Sequence, residues 1–377
     1  MKLRYFLEAQ EREYIRLYPI IRFILAWFIS TRIMLSVIGT WSRIIFHKTT
    51  RTYSQHVWLD IWGVWDSKWY LDIAKNGYSL AVRDRFGSVN VAFFPFYSTL
   101  IKLLERLVGD YFISGLIISN ICLIIACIFL YKLSRLDYDE ETALNSVKYL
   151  FLFPTAFIYS GVFTESTYLA LVLTCMYYAR REKWVIVGVL GYFTALTKAF
   201  GVLIILPLLY EYFKSIGFDW RKIRKNILLM ALIPLGLSTL MYYHHQTFDK
   251  PIVFMEVQST WGRHLANPLT TLAAELKSKD EVRRFESYFW IATMLILISF
   301  WRKIRFSYLI LSMYTLVGPL ITGTVWSMPR FALVVFPMYM IFAIISRGRR
   351  MEAILATSML LQGFLMGLWA IGLRIIV

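Results

Sequence analysis

FISGLIISNICLIIACIFLY, residues 112–131, runs for twenty residues without a charged side chain. A helix of that length rises about 30 Å, the thickness of a bilayer's hydrocarbon core. Comparable apolar runs of about 15 to 22 residues recur along the whole 377-residue chain. Composition agrees with them: 58% of residues are hydrophobic and 17% charged, where ordinary globular chains carry about 25% charged residues. The sequence therefore predicts an all-α polytopic membrane protein and excludes a pair of soluble domains. Cys122, Cys127 and Cys175 are odd in number, lie in apolar runs and have no metal-ligand spacing, so they predict core packing and not a disulfide scaffold or a metal site.

The chain carries 41 Lys and Arg against 24 Asp and Glu, a net charge of +17. These cations are spread over short turns, which argues against a nucleic-acid-binding face. Five basic segments are expected in the cytoplasm: Lys2, Arg4, Arg12 and Arg16; Arg180, Arg181 and Lys183; Lys214, Arg221, Lys222, Arg224 and Lys225; Arg302, Lys303 and Arg305; and Arg347, Arg349 and Arg350. Eleven spans satisfy that placement, near residues 18–39, 112–131, 144–160, 163–179, 184–199, 201–213, 226–244, 287–301, 306–322, 330–346 and 351–373. The N-terminus is then cytoplasmic and the C-terminus external. One further run, AFFPFYSTLIKLLERLV (92–108), places Lys102, Glu105 and Arg106 in an apolar helix and is expected to lie in the external interface. Two long external loops result, at about 40–111 and about 245–286. The SKDEVRR segment (278–284) reads as the solvated face of a helix. No signal-peptide pattern, internal repeat or separate soluble domain is visible, so residues 1–377 read as one transmembrane domain.

In the first external loop, WLDIWGVWDSKWYLDIAKNGYS (58–79) spaces four tryptophans by four, three and four residues. On one helix they form a single aromatic stripe, either an interfacial anchor or a platform on which Trp65, Trp69 and Tyr70 pack against a sugar. Asp66 sits at the edge of that stripe, where partial desolvation suits a general base. The alternative is a carboxylate that pairs with Lys68 or Arg32. Asp60 and Asp72 each lie six residues away, about 120° off that face, so the three acids form no cluster on one straight helix. A metal site built from this helix alone is not expected.

WDSKWYLDIAKNGYS followed by NVAFFPFYSTL (90–100) resembles the first luminal loop of PIG-V type mannosyltransferases, which add the second mannose in GPI-anchor assembly, and of their prokaryotic relatives. FPTAFIYSGVFTESTYLAL (153–171), DKPIVFMEVQSTWGRHLANP (249–268) and SMPRFALVVFPMY (327–339) are similar to further stretches of that family, in order. The resemblance implies a GT-C fold, an active site on the external or luminal side, a polyprenyl-phosphate mannose donor, a lipid or glycan acceptor, and an essential first-loop acid that aligns with Asp66. The chain is shorter than the eukaryotic enzymes, which points to a prokaryotic homologue in the plasma membrane; in a eukaryote the site would be the endoplasmic reticulum.

Direct displacement at an anomeric carbon needs a base for the acceptor hydroxyl and cations for the departing phosphate, with no nucleotide-binding fold and no cofactor of necessity. None of the phosphate-loop or dinucleotide motifs occurs. Arg263, His264, Arg330, Lys198 and Arg32 are the expected cations, each with a plainer alternative as a solvated or snorkelling residue. Arg32, inside the first span, needs a partner, either a carrier phosphate or a first-loop acid. Glu165 is a candidate polar contact that also suits a helix N-terminus. Gln258 and Trp261 are candidate sugar contacts. His244 and His245 point about 100° apart and make a poor metal pair. Two rival readings remain: a transporter or flippase of a lipid-linked sugar, and a GT-C transferase of a different sugar.

Overall fold

The computed structural model describes residues 2–48, 50–81, 84, 87–346 and 348–373, with the side chains described from Leu17 onward. The basic residue Arg347 and the side chains of Lys2, Arg4, Arg12 and Arg16 lie outside that description. No strand occurs among the described residues. Helix α1 (Lys2–Ile45) leads to a first long loop holding α2 (Val57–Asp60), α3 (Ser67–Asn76) and α4 (Pro95–Val108). α5 (Tyr111–Ser134), α6 (Glu140–Leu152), α7 (Glu165–Ala179), α8 (Trp184–Ala195), α9 (Ile205–Ser215) and α10 (Leu232–Phe248) then run back and forth. A second long loop carries α11 (Val253–Glu256) and α12 (Pro268–Leu276), and α13 (Glu281–Phe300), α14 (Phe306–Ile321), α15 (Met328–Leu333), α16 (Pro337–Ile345) and α17 (Arg349–Ala370) follow.

Each of the eleven predicted spans contains helix, in several cases interrupted. Among the described residues four stretches are long and apolar enough to cross a bilayer unaided: Leu17–Ile45, Tyr111–Ser134, Lys225–Phe248 and Arg349–Ala370. The other seven are shorter, interrupted or charged at one end. The predicted span 330–346 is the clearest correction, because it is two helices broken at residues 334–336, where Pro337 starts α16. The span 144–160 likewise ends its α-helix at Leu152, ahead of Pro154, and resumes as a 3-10 turn over Ala156–Ser160. α7 buries twelve of its fifteen residues, including Leu169, Val172, Leu173 and Met176.

The run at 92–108 is α4, fourteen residues and about 21 Å long. Gly109, at φ 77°, ends it in the left-handed conformation, and Asp110 starts α5 by accepting the Ile113 N–H. Glycines let α8 and α10 approach closely: a Cβ on Gly236 would lie 2.5 Å from the Tyr192 carbonyl oxygen.

Side-chain links sort the loops onto two faces. The Arg180 turn meets Asp137 through two 2.8 Å bonds, Tyr138 donates to the Lys303 carbonyl at 2.6 Å, and Arg305 clasps Glu211 at 2.6 and 2.7 Å. These basic turns share one face. The two long loops and the end of α17 share the other, where the Trp369 indole donates to the Ile61 carbonyl at 3.2 Å and Arg43 donates to Ala370 at 2.8 Å.

Candidate active site

The four-tryptophan segment is not one helix. α2 stops at Asp60, and Trp65 adopts φ 53°, a left-handed conformation that breaks the chain before α3. The expected stripe is therefore dispersed: Trp58 is exposed, Trp62 and Trp69 are buried, and Trp65 is half-buried. The break places Asp66 at the N-cap of α3, yet its carboxylate accepts no capping bond. Instead Oδ2 accepts from Arg330 Nη1 at 2.6 Å. The two rival acids are consumed structurally. Asp60 pairs with Arg43 and accepts the N–H groups of Thr52, Tyr53 and Ser54 at 3.0, 2.6 and 3.1 Å. Asp72 accepts from Asn76 at 2.8 Å and Asn90 at 2.6 Å.

Arg330 is held on a second side by Glu165, whose Oε1 accepts from Nε at 3.0 Å and also from Lys198 Nζ at 2.9 Å. Glu165 is fully buried and begins α7, so the helix N-terminus and two cations surround its carboxylate. The result is a chain of alternating charge from Asp66 through Arg330 and Glu165 to Lys198, brought together from the first loop, α7, the turn after α8, and α15. It forms one wall of a cavity of about 1020 Å³.

Of the residues expected from sequence, Trp65, Asp66, Trp69, Tyr70, Glu165, Lys198, Gln258, Trp261, Arg263 and Arg330 all line this cavity. Arg263 differs from the other three cations there. Lys68 pairs with Asp84 at 3.3 Å, Lys198 with Glu165, and Arg330 with Asp66 and Glu165. Arg263 instead donates to the neutral Gln258 Oε1 at 3.1 Å and has no carboxylate partner among the described residues. Burial lowers its pKa, a shift opposed by the nearby Asp66 charge. Among the described residues, four lining cations against three lining acids leave a surplus of one positive charge.

The facing wall is aromatic. Trp69 and Phe93 stack at 5.9 Å, and Trp261 packs edge-on against both at 5.5 and 5.4 Å. The indole N–H groups of Trp65 and Trp261 are buried without a protein acceptor, two donors available to a ligand oxygen. Burial pushes the Tyr70 phenol up, and Glu165 adds to the effect, so its hydroxyl stays protonated while contacting Thr164 Oγ1 at 3.3 Å.

Two expected cations lie elsewhere. His264 is exposed, its backbone N–H bonded to Thr322 O at 3.1 Å and its ring against Gly323. Arg32 is buried and donates to Ser160 Oγ at 2.7 Å and the Ala156 carbonyl at 3.4 Å. It meets no first-loop acid, because Asp60 is taken by Arg43, eleven residues and about 16 Å further along α1. His244 is enclosed by Tyr78, Phe248 and Phe254, while His245 is exposed. Lys68, Asp84, Trp326 and Ser327 line the cavity without having been expected. For Lys68 the adjoining WDSKWY motif carried a signal; for Asp84, in a stretch without a motif, none did. No cluster of three or more His, Cys, Asp or Glu side chains with metal-holding geometry occurs among the described residues.

The all-helical chain, with this charged and aromatic-walled cavity at one end of its bundle, has a GT-C-like fold, as its likeness to a solved structure shows. Residues 93–244 match the family described as Dolichyl-phosphate-mannose-protein mannosyltransferase. In structure the chain is similar to ArnT from Cupriavidus metallidurans, solved bound to undecaprenyl phosphate: TM-score 0.52, 11% identity, covering 89% of this chain and 62% of that one. The chain thus spans under two thirds of that protein's length. No curated protein sequence matches it significantly.

Proposed function

We propose that the protein transfers a mannosyl residue from a polyprenyl-phosphate donor to a lipid-linked or glycan acceptor at the external membrane face, as a PIG-V type enzyme. The observation that carries this reading is the convergence of Asp66 and Arg263, which has no carboxylate partner among the described residues, in one cavity whose described lining residues carry one surplus positive charge. A sugar phosphodiester carries one negative charge and matches that surplus; a diphosphate carries more. The family match and the fold shared with a protein bound to undecaprenyl phosphate support the donor class.

In this mechanism the acceptor oxygen bonds to the anomeric carbon while its proton passes to Asp66. The bond from that carbon to the phosphate oxygen breaks, and its electron pair leaves on the phosphate, stabilised by Arg263. A phosphate oxygen that reaches Arg330 competes with Asp66 for the same guanidinium, so the donor frees the carboxylate for the acceptor. The aromatic wall and the two indole N–H donors suit a sugar, which presents apolar faces and hydroxyl oxygens.

Purified protein in lipid, given radiolabelled polyprenyl-phosphate mannose and a membrane lipid extract, should form a labelled product. Asp66→Asn should lower turnover at least about a hundredfold, the scale of a lost general base, while donor binding persists. Near-wild-type turnover in that variant removes Asp66 as the base. Donor binding without transfer by the wild-type protein points to transport, and transfer from another sugar phosphate corrects the sugar.

A further inference from the structure

Arg330 is delivered by a turn whose conformation its own residues disfavour. Ser327, at φ 65° and ψ 22°, lies in the left-handed region, which a residue with a Cβ rarely adopts. Its carbonyl accepts the Arg330 N–H at 2.9 Å, so the Ser327 backbone sets the first turn of α15 and the direction in which Arg330 leaves it. Pro329, in that same turn, has no N–H with which to add a bond.

The missing restraint comes from α13. Glu286, 2% exposed and absent from the cavity wall, accepts the Ser327 N–H at 2.8 Å. One turn earlier on the same helix face, the Arg283 guanidinium lies 5.1 Å from the ring centre of Trp326. Two side chains of α13 therefore grip two successive residues of the turn that carries Arg330. We propose that Glu286 is a positioning residue: it fixes Ser327 in the left-handed conformation and so aims Arg330 between Asp66 and Glu165. Its consequence for donor affinity rests on the functional reading above; the conformational claim does not.

The test compares wild type, Glu286→Ala, Glu286→Gln and the double variant Glu286→Ala/Ser327→Gly, all in lipid. Two quantities are measured: affinity for undecaprenyl phosphate, and hydrogen exchange at the Ser327 amide. Glu286→Ala should speed the exchange and weaken affinity about tenfold, the scale of releasing one left-handed residue. Glu286→Gln keeps a carbonyl acceptor and should stay near wild type in both. In the double variant affinity should recover while the amide stays fast, because glycine adopts the left-handed conformation without help. That separation is one a general packing role would not produce. Unchanged exchange in Glu286→Ala, or an affinity loss that Ser327→Gly leaves in place, overturns the proposal. Absence of undecaprenyl phosphate binding by the wild type overturns the functional reading instead, and the exchange comparison still decides the role of Glu286.

Discussion

Arg330 and Arg263 stand in the same cavity, and their surroundings assign them different work. Arg330 sits between Asp66 and Glu165 with its guanidinium over the Phe163 ring at 4.7 Å, so it is a strut of the site before any ligand arrives. Removing it leaves two carboxylates facing each other without their shared cation, a loss of about 3–5 kcal/mol for a buried group. Arg263 holds only a glutamine, so its removal strands no charge. Arg263→Ala should therefore keep the wild-type melting temperature and raise the donor KM about tenfold to a hundredfold, the range for a lost hydrogen bond to a charged group. Arg330→Ala should lower both melting temperature and kcat. Equal effects of the two variants on stability and KM would remove the distinction. At this scale the sequence was informative about residue type: an acid beside tryptophans and arginines after glycine and proline were recognisable. The pairing was not, since Asp66 and Arg330 are 264 residues apart and only the fold makes them neighbours.

Among the elements, the first loop shows how a periodicity argument fails. Spacings of four, three and four predict a continuous stripe, and the left-handed Trp65 interrupts it one residue before Asp66. Strain of this kind collects at functional sites, and Ser327 repeats the pattern ahead of Arg330. Asp60 keeps the loop in place against α1 and α17. Burial alone would raise its pKa, but Arg43 and three backbone N–H groups outweigh burial and lower it. A carboxyl whose folded pKa is depressed contributes its full stability above its unfolded value, about 3.9, and loses it as pH falls through the folded value. Wild-type thermal stability in detergent should therefore fall steeply as the pH drops below about 4, and Asp60→Asn, which has no such proton to take up, should show a shallower fall from a lower starting point. Parallel pH profiles for the two proteins would show that Asp60 does not carry the acid sensitivity.

For the molecule as a whole, the helical segments were readable because they depend on run length, a quantity local to the sequence. The cavity was not, because its walls come from the two long loops, the start of α7, the turn after α8, and α15 with the turn before it, which meet only once the chain has folded back on itself repeatedly. The two sides of the bundle differ sharply in chemistry. One face gathers the basic turns around Arg180, Lys222 and Lys303, and the other carries the cavity and both long loops. Cationic short loops resist translocation, so the basic face should be cytoplasmic and the cavity external. Lys222 and Lys279 are both exposed, on opposite faces, and the native cysteines are buried or half-buried in helices, so single engineered cysteines at these two positions can report sidedness. In intact cells a membrane-impermeant maleimide should label Lys279→Cys, whereas Lys222→Cys should react only after the membrane is opened. The reverse pattern would place the cavity on the cytoplasmic side, where the phosphate of an outward-facing lipid-linked sugar could not reach Arg263, and would rule out transfer at the external face while leaving the fold as described.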